Sequence, residues 1–166
     1  MYHRLNIHGF SLDPLSQRPM VLLKDGDGKV TLPLWLNKLD VLTIVAELLN
    51  RELMNQGGRR DLFGSFLTRI GMDVASVTID SLNDGLYAAS VRFEGAGEGV
   101  TMQVRPSEAI VAAMRFNLPV MVAEEAVKRA TVMDLQDEQV QKESTVRRLT
   151  EYLENLDPSA LGKYPM

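Results

Sequence analysis

The 166-residue chain contains no cysteine. That excludes disulfides, thiolate metal sites and a cysteine nucleophile, and leaves oxygen, imidazole and guanidinium groups for any chemistry. Histidine occurs only twice, at His3 and His8. The two are an odd number of residues apart, so on a regular strand they point to opposite faces and do not act together. Aromatic residues make up 6% of the chain, with Trp35 the single tryptophan, and basic residues are not in excess, since the net charge is -4. A broad electrostatic grip on nucleic acid is therefore disfavoured. A local patch remains open around Arg51, Arg59, Arg60 and Arg69, with a solvated loop between basic helix ends as the alternative. No apolar run approaches the roughly 18 residues needed to span a bilayer, and the opening residues lack the continuous apolar stretch of a signal peptide. The expectation is a cytoplasmic protein that does not enter a membrane.

What is present is ordinary for a globular chain: 45% hydrophobic and 24% charged residues. Tyr2 to Leu12 alternates as a strand, and Met20 to Lys24 with Lys29 to Trp35 brackets Asp25-Gly26-Asp27-Gly28, a hairpin signal. Asn37 suits a helix cap. Leu39, Leu42, Ile44, Val45, Leu48, Leu49 and Leu53 follow as a wide apolar stripe, which predicts a long core helix ending at Gly57-Gly58. Asp61 opens a shorter helix closed by Gly71. Asn83-Asp84-Gly85 marks a second hairpin, and Gly95, Gly97 and Gly99 mark a turn rather than a phosphate loop, because the required lysine and spacing are missing. Val100 to Val104 reads as a strand, Pro119 to Val122 as a short apolar strand, Ala123 to Ala130 as helical, and Met133 to Leu156 as an amphipathic helix. The pattern predicts an α+β fold, with a mixed or mostly antiparallel sheet and helices packed against it, divided into a domain over 1–130 and a helical extension over 131–166.

The chain changes character at Val104-Arg105-Pro106-Ser107-Glu108-Ala109-Ile110, where a strand pattern ends and a helix pattern begins. Pro106 suits the first helical turn, because its φ is fixed near the helical value and the missing N–H is not needed there. Ile110, Met114 and Leu118 recur every fourth residue. Arg105, Ser107 and Glu108 thus sit at a helix N-terminus, where free N–H groups favour an anion. Glu108 has two readings: a functional carboxylate, or a helix-start acid paired with Arg105. Asp40 lies in the first turn of the long helix with Glu47 about 10 Å along the same face. Asp61 is a helix cap or a ligand. Trp35 is a core or interface anchor more than a base-stacking platform.

The run Arg105-Pro106-Ser107-Glu108-Ala109-Ile110 after a strand resembles the signature of the bifunctional nuclease domain family, usually Asp-Ala-Arg-Pro-Ser-Asp-Ala-Ile. Pro19-Met20-Val21-Leu22-Leu23-Lys24, Leu32-Pro33-Leu34-Trp35-Leu36, Asp61-Leu62 and Leu118-Pro119-Val120-Met121-Val122 fall in the family's order. The closing Leu156-Asp157-Pro158 with Gly162-Lys163-Tyr164 is similar to the tail of some bacterial members. The resemblance implies a hydrolase of RNA and DNA phosphodiester bonds, with Glu108, Asp40 and Asp61 holding Mg²⁺ or Mn²⁺, Arg105 orienting phosphate, and Ser107 beside them. Polar positions differ from the family pattern: its acidic helix residue, usually Glu, is Asp40, its Thr-His pair is Arg59-Arg60, and its leading Asp is Gln103. An arginine cannot replace a neutral imidazole as ligand or base. The alternative is a non-catalytic, oligomeric binding or regulatory module of the same fold. A homodimer is expected from the helix surfaces left to cover.

Overall fold

Strand β1, Tyr2–Leu12, follows from its alternation: Leu5 is fully buried while its neighbours Arg4 and Asn6 face out. The computed structural model describes residues 1–13, 17–57 and 61–131, without the side chains of 53–57. Arg59, Arg60 and the expected helix over Met133 to Leu156 therefore lie outside the described residues. The chain divides into two units, Met1–Ala130 and Thr131–Met166.

β2 (Pro19–Lys24) and β3 (Thr31–Trp35) form the first hairpin, antiparallel to each other, with β2 also antiparallel to β1. Its turn is tied by Asp25, whose Oδ1 accepts from the Val30 N–H at 3.1 Å, and by Gly28 at φ +70, a conformation that costs a residue with a Cβ. Helix α1 (Lys38–Gly57) and helix α2 (Leu62–Ile70) follow. Asp61 caps α2 by accepting from the Phe63 N–H at 3.2 Å, and Gly71 closes it in the left-handed region at φ 68. β4 (Met72–Asn83) and β5 (Leu86–Gly95) form the second hairpin, and both turn residues, Asp84 and Gly85, have positive φ, as a tight two-residue turn requires. β6 (Val100–Val104) pairs with β5 and leads into helix α3 (Pro106–Phe116). β7 (Val120–Ala123) follows, then helix α4 over residues 124–131.

The seven strands make one mixed sheet in the order β3-β2-β1-β7-β4-β5-β6. The α+β expectation is met. Its least obvious feature is β7: the last and shortest strand lies in the centre, antiparallel to β1 and parallel to β4. Laid flat, β3 and β5 would be roughly 24 Å apart at about 4.8 Å per strand. Yet the Tyr87 hydroxyl of β5 donates to the Pro33 carbonyl of β3 at 3.1 Å, so the sheet curls back on itself. Leu5, Leu23, Leu34, Val120 and Ile79 are all fully buried in the resulting core, each worth about 1.5–3 kcal/mol relative to exposure.

Two helix expectations need correction. α1 is not an apolar core helix: Ile44 is buried at 2%, but so are the polar Asp40 and Glu47, while Leu39 and Leu42 are about two-thirds exposed at 65% and 64%. The spacing 40, 44, 47 marks the face that α1 turns to α3, and the leucines lie on the opposite one. α3 ends at Phe116 because Asn117 turns left-handed at φ 52, which leaves Leu118 beyond the helix. The buried face of α3 is Ser107, Ala109, Ile110 and Ala113.

Candidate functional site

α1 and α3 lie side by side, and their buried apolar residues, Ile44 on α1 and Ala109, Ile110 and Ala113 on α3, lie between two polar pairs. At one end the Ser107 hydroxyl, fully buried, donates to Asp40 Oδ1 at 2.5 Å. At the other, Arg115 donates through Nε to Glu47 Oε1 at 3.2 Å and through its terminal nitrogen to Oε2. Both pairs join residues in the same chain order, so the helices run parallel. The seven residues from Asp40 to Glu47 and the eight from Ser107 to Arg115 rise about 10 to 12 Å, which matches the ends.

Asp40 also closes the start of α1. Its N–H donates to Asn37 Oδ1 at 2.9 Å, and the Asn37 N–H reaches back to Asp40 Oδ2 at 3.4 Å, a reciprocal cap. The expected Asn37 cap is present.

Arg105 and Glu108 form the outer layer at the N-terminal end of α3. The Glu108 carboxylate accepts from the Arg105 backbone N–H at 3.0 Å and from its guanidinium at 3.3 Å. Both side chains are about half exposed. The backbone N–H of Arg105, then its guanidinium, hold the Glu108 carboxyl below the ordinary glutamate range, and the guanidinium is held more firmly protonated by Glu108 and, more weakly, by Asp40. Glu108 also forms part of the wall of a groove of about 240 Å³, together with Phe63, Phe93, Met102, Ala112 and Arg115. Phe63 stands edge-on to both Phe93 and Phe116, with ring centroids 6.4 and 6.0 Å apart.

The five expected site residues are thus brought into two groups. Asp40, Ser107, Arg105 and Glu108 gather at the N-terminal end of α3. Asp61 does not join them: it caps α2 and lies 3.7 Å from Arg115, at the far end of the helix. Glu47 and Arg115 belong to that second group, and sequence reasoning did not pair them. The available signal was spacing, because Glu47 sits seven residues after Asp40 and Arg115 eight after Ser107.

A divalent ion shared by Asp40, Asp61 and Glu108 does not fit this arrangement. Among the described residues, no three His, Asp or Glu side chains come together to hold a metal. Each of the three carboxylates is engaged elsewhere, Asp40 by a hydroxyl, Asp61 by its cap and Arg115, and Glu108 by Arg105. Trp35 is half-buried with the Arg18 guanidinium 5.3 Å above its ring.

The family model of the bifunctional nuclease domain matches residues 21–134, well over half of the chain. The chain belongs to that family. The matched stretch runs from β2 through α4 and so contains both polar pairs, the Arg105–Glu108 cap and the aromatic groove. Two proteins from different strains of Mycobacterium tuberculosis are each 23% identical over 159 residues, 93% of this chain and 94% of theirs, and both are described only as uncharacterized. The bifunctional nuclease domain here is nuclease-like in fold, and no helix among its described residues is long and apolar enough to cross a membrane.

Proposed function

We propose that this nuclease-like domain binds RNA or DNA at the N-terminal end of α3, with a backbone phosphate on Arg105 and an unstacked base against the aromatic groove. The observation that carries this is the double position of Glu108: one carboxylate joins the exposed guanidinium to the groove of Phe63 and Phe93. Single-stranded nucleic acid is recognised by that combination, a cation for the phosphate and an aromatic surface for the base. Ser107 supports the site without touching substrate, since its buried bond to Asp40 anchors the helix start.

Hydrolysis is the fuller form of the reading, and family membership supports it. Glu108, ionised near neutrality, accepts a hydrogen bond from a water or a ribose 2′-hydroxyl, but its lowered pKa makes it a weak base. The test is cleavage and binding of single-stranded RNA and DNA, with chelator, Mg²⁺ or Mn²⁺, comparing wild type with Arg105→Ala and Glu108→Ala. Cleavage lost in both variants supports the hydrolase. Binding that needs Arg105 without any cleavage supports a non-catalytic module. Binding and cleavage that survive both substitutions remove the site.

The second reading, an oligomeric binding module, is favoured by the leucine face of α1. Leu39, Leu42, Val45 and Leu49 form a continuous exposed apolar stripe, the kind of surface that a second copy of the chain covers in a homodimer. Light scattering checks it: Leu42→Glu with Leu49→Glu gives a monomer if α1 is the contact, and an unchanged mass rules it out.

A further inference from the structure

We propose a second anion site, distinct from the Arg105 end of α3, that binds the phosphoryl group of a nucleotide or nucleic acid in a basic cleft between β1, α1 and the end of α3. It goes beyond the function proposed above and does not depend on it.

The cleft arises because β1 is longer than its central partner. β7 pairs with β1 only over Tyr2 to Leu5, while β1 runs on to Leu12. Past Leu5, that edge of β1 meets the loop after α3 instead of a strand. A register shift between Ile7 and Gly9 bends β1 there. The space enclosed is about 490 Å³, within the usual range for small-ligand sites of about 300–1,000 Å³.

Its lining is unlike the aromatic groove. Arg4, Asn6 and His8 come from β1, Arg51 from α1 and Asn117 from the left-handed cap of α3. No carboxylate lines the cleft among the described residues, and no ion pair joins Arg4 or Arg51 to a described acid. In a chain of net charge -4, two guanidiniums lining one cleft without an acid are an unbalanced concentration of positive charge, and the His8 imidazole beside them adds a further polar group. The donors present, two planar forks with two side-chain amides, match the several oxygens of a phosphoryl group better than a single carboxylate. Phe10, 43% exposed beside them, offers a flat surface for a base or sugar. By helical period Met114 and Asn117 lie on the opposite side of α3 from Glu108, Ala112 and Arg115, so this cleft and the aromatic groove do not share a ligand position.

The experiment is calorimetric titration of the full chain with inorganic phosphate, a nucleoside monophosphate and a short single-stranded oligonucleotide, at low and moderate salt. Wild type binds at least one probe, and Arg4→Ala and Arg51→Ala each weaken that binding about tenfold or more, as loss of a charge-assisted fork does. A monophosphate bound more tightly than phosphate assigns the site to small nucleotides, and binding of the oligonucleotide alone, weakened by Arg4→Ala and Arg51→Ala, assigns it to a nucleic-acid backbone. Affinities within twofold of wild type in both variants, or no binding of any probe, overturn the proposal. Amide resonances of wild type supply a measurement that needs no variant: Asn6, His8 and Asn117 shift on addition of the bound probe, and shifts confined to Arg105 through Glu108 reject the cleft.

Discussion

Replacing Ser107 with Ala removes one oxygen from the fully buried interface of α1 and α3, and the structure sets the size of the effect. The hydroxyl donates at 2.5 Å to a carboxylate that is itself only 7% exposed. A hydrogen bond to a charged group contributes about 1.5–3 kcal/mol, and an abandoned buried acceptor retains its desolvation cost. The Asn37 N–H is already committed to the other carboxylate oxygen, Oδ2, and water has little access to the site. Ser107→Ala is therefore expected to destabilise by about 2 kcal/mol, which for a chain of this length lowers Tm by about 4–8 °C. Denaturant unfolding of wild type, Ser107→Ala, Asp40→Ala and the double variant measures it, with a coupling energy above about 1 kcal/mol expected for two groups in direct contact. A loss below about 0.5 kcal/mol, or single effects that simply add, would refute the view that this bond fixes the start of α3 against α1.

At the other end of the same interface, Arg115→Ala strands the buried Glu47 carboxylate and is expected to cost about 2–4 kcal/mol, discounted from the usual penalty for breaking a buried pair because Arg115 keeps some exposure; Arg115→Leu combined with Glu47→Leu recovers most of it, and chemical unfolding reads both. Glu108→Gln weakens the start of α3 by a pH-dependent amount. Because the folded pKa of Glu108 lies below the ordinary 4.5, its contribution is present above pH 4.5 and disappears as pH falls through the lower folded value, so the stability curves of wild type and the Glu108→Gln variant converge in acid. Gly95→Ala places a methyl group 2.5 Å from the Gly71 carbonyl oxygen, a clash with backbone that cannot rotate away. A lowered Tm is expected, and an unchanged one shows that the backbone at Gly71, where α2 closes beside β5, has slack.

Local features were legible because their causes are local. Asp61, Gly71, Pro106 and the Asp84-Gly85 turn are specified by the conformations of the residues themselves, and each lies where the sequence predicts it. The inward face of α1 was not legible, because hydrophobic period shows that a helix has two faces without showing which one meets a neighbour. Asp40 and Glu47 face inward only because Ser107 and Arg115, 67 and 68 residues away, supply a donor and a cation. The three-carboxylate site failed for the same reason: Asp61 and Glu108 each satisfy a helix start, and those starts lie at different places along α3. Family resemblance located the Arg105–Glu108 corner, but neither it nor periodicity pointed to the basic cleft, whose residues come from three elements with no shared motif.

The central position of β7 sets an order of events during synthesis. Residues 2–35 yield one three-stranded antiparallel meander and residues 72–104 another, and each presents an unsatisfied edge until Val120–Ala123 slides between them. A ribosome must therefore deliver the chain through Ala123 before the two halves become one sheet, and a chain cut just before Val120 has no strand to pair with the facing edges of β1 and β4.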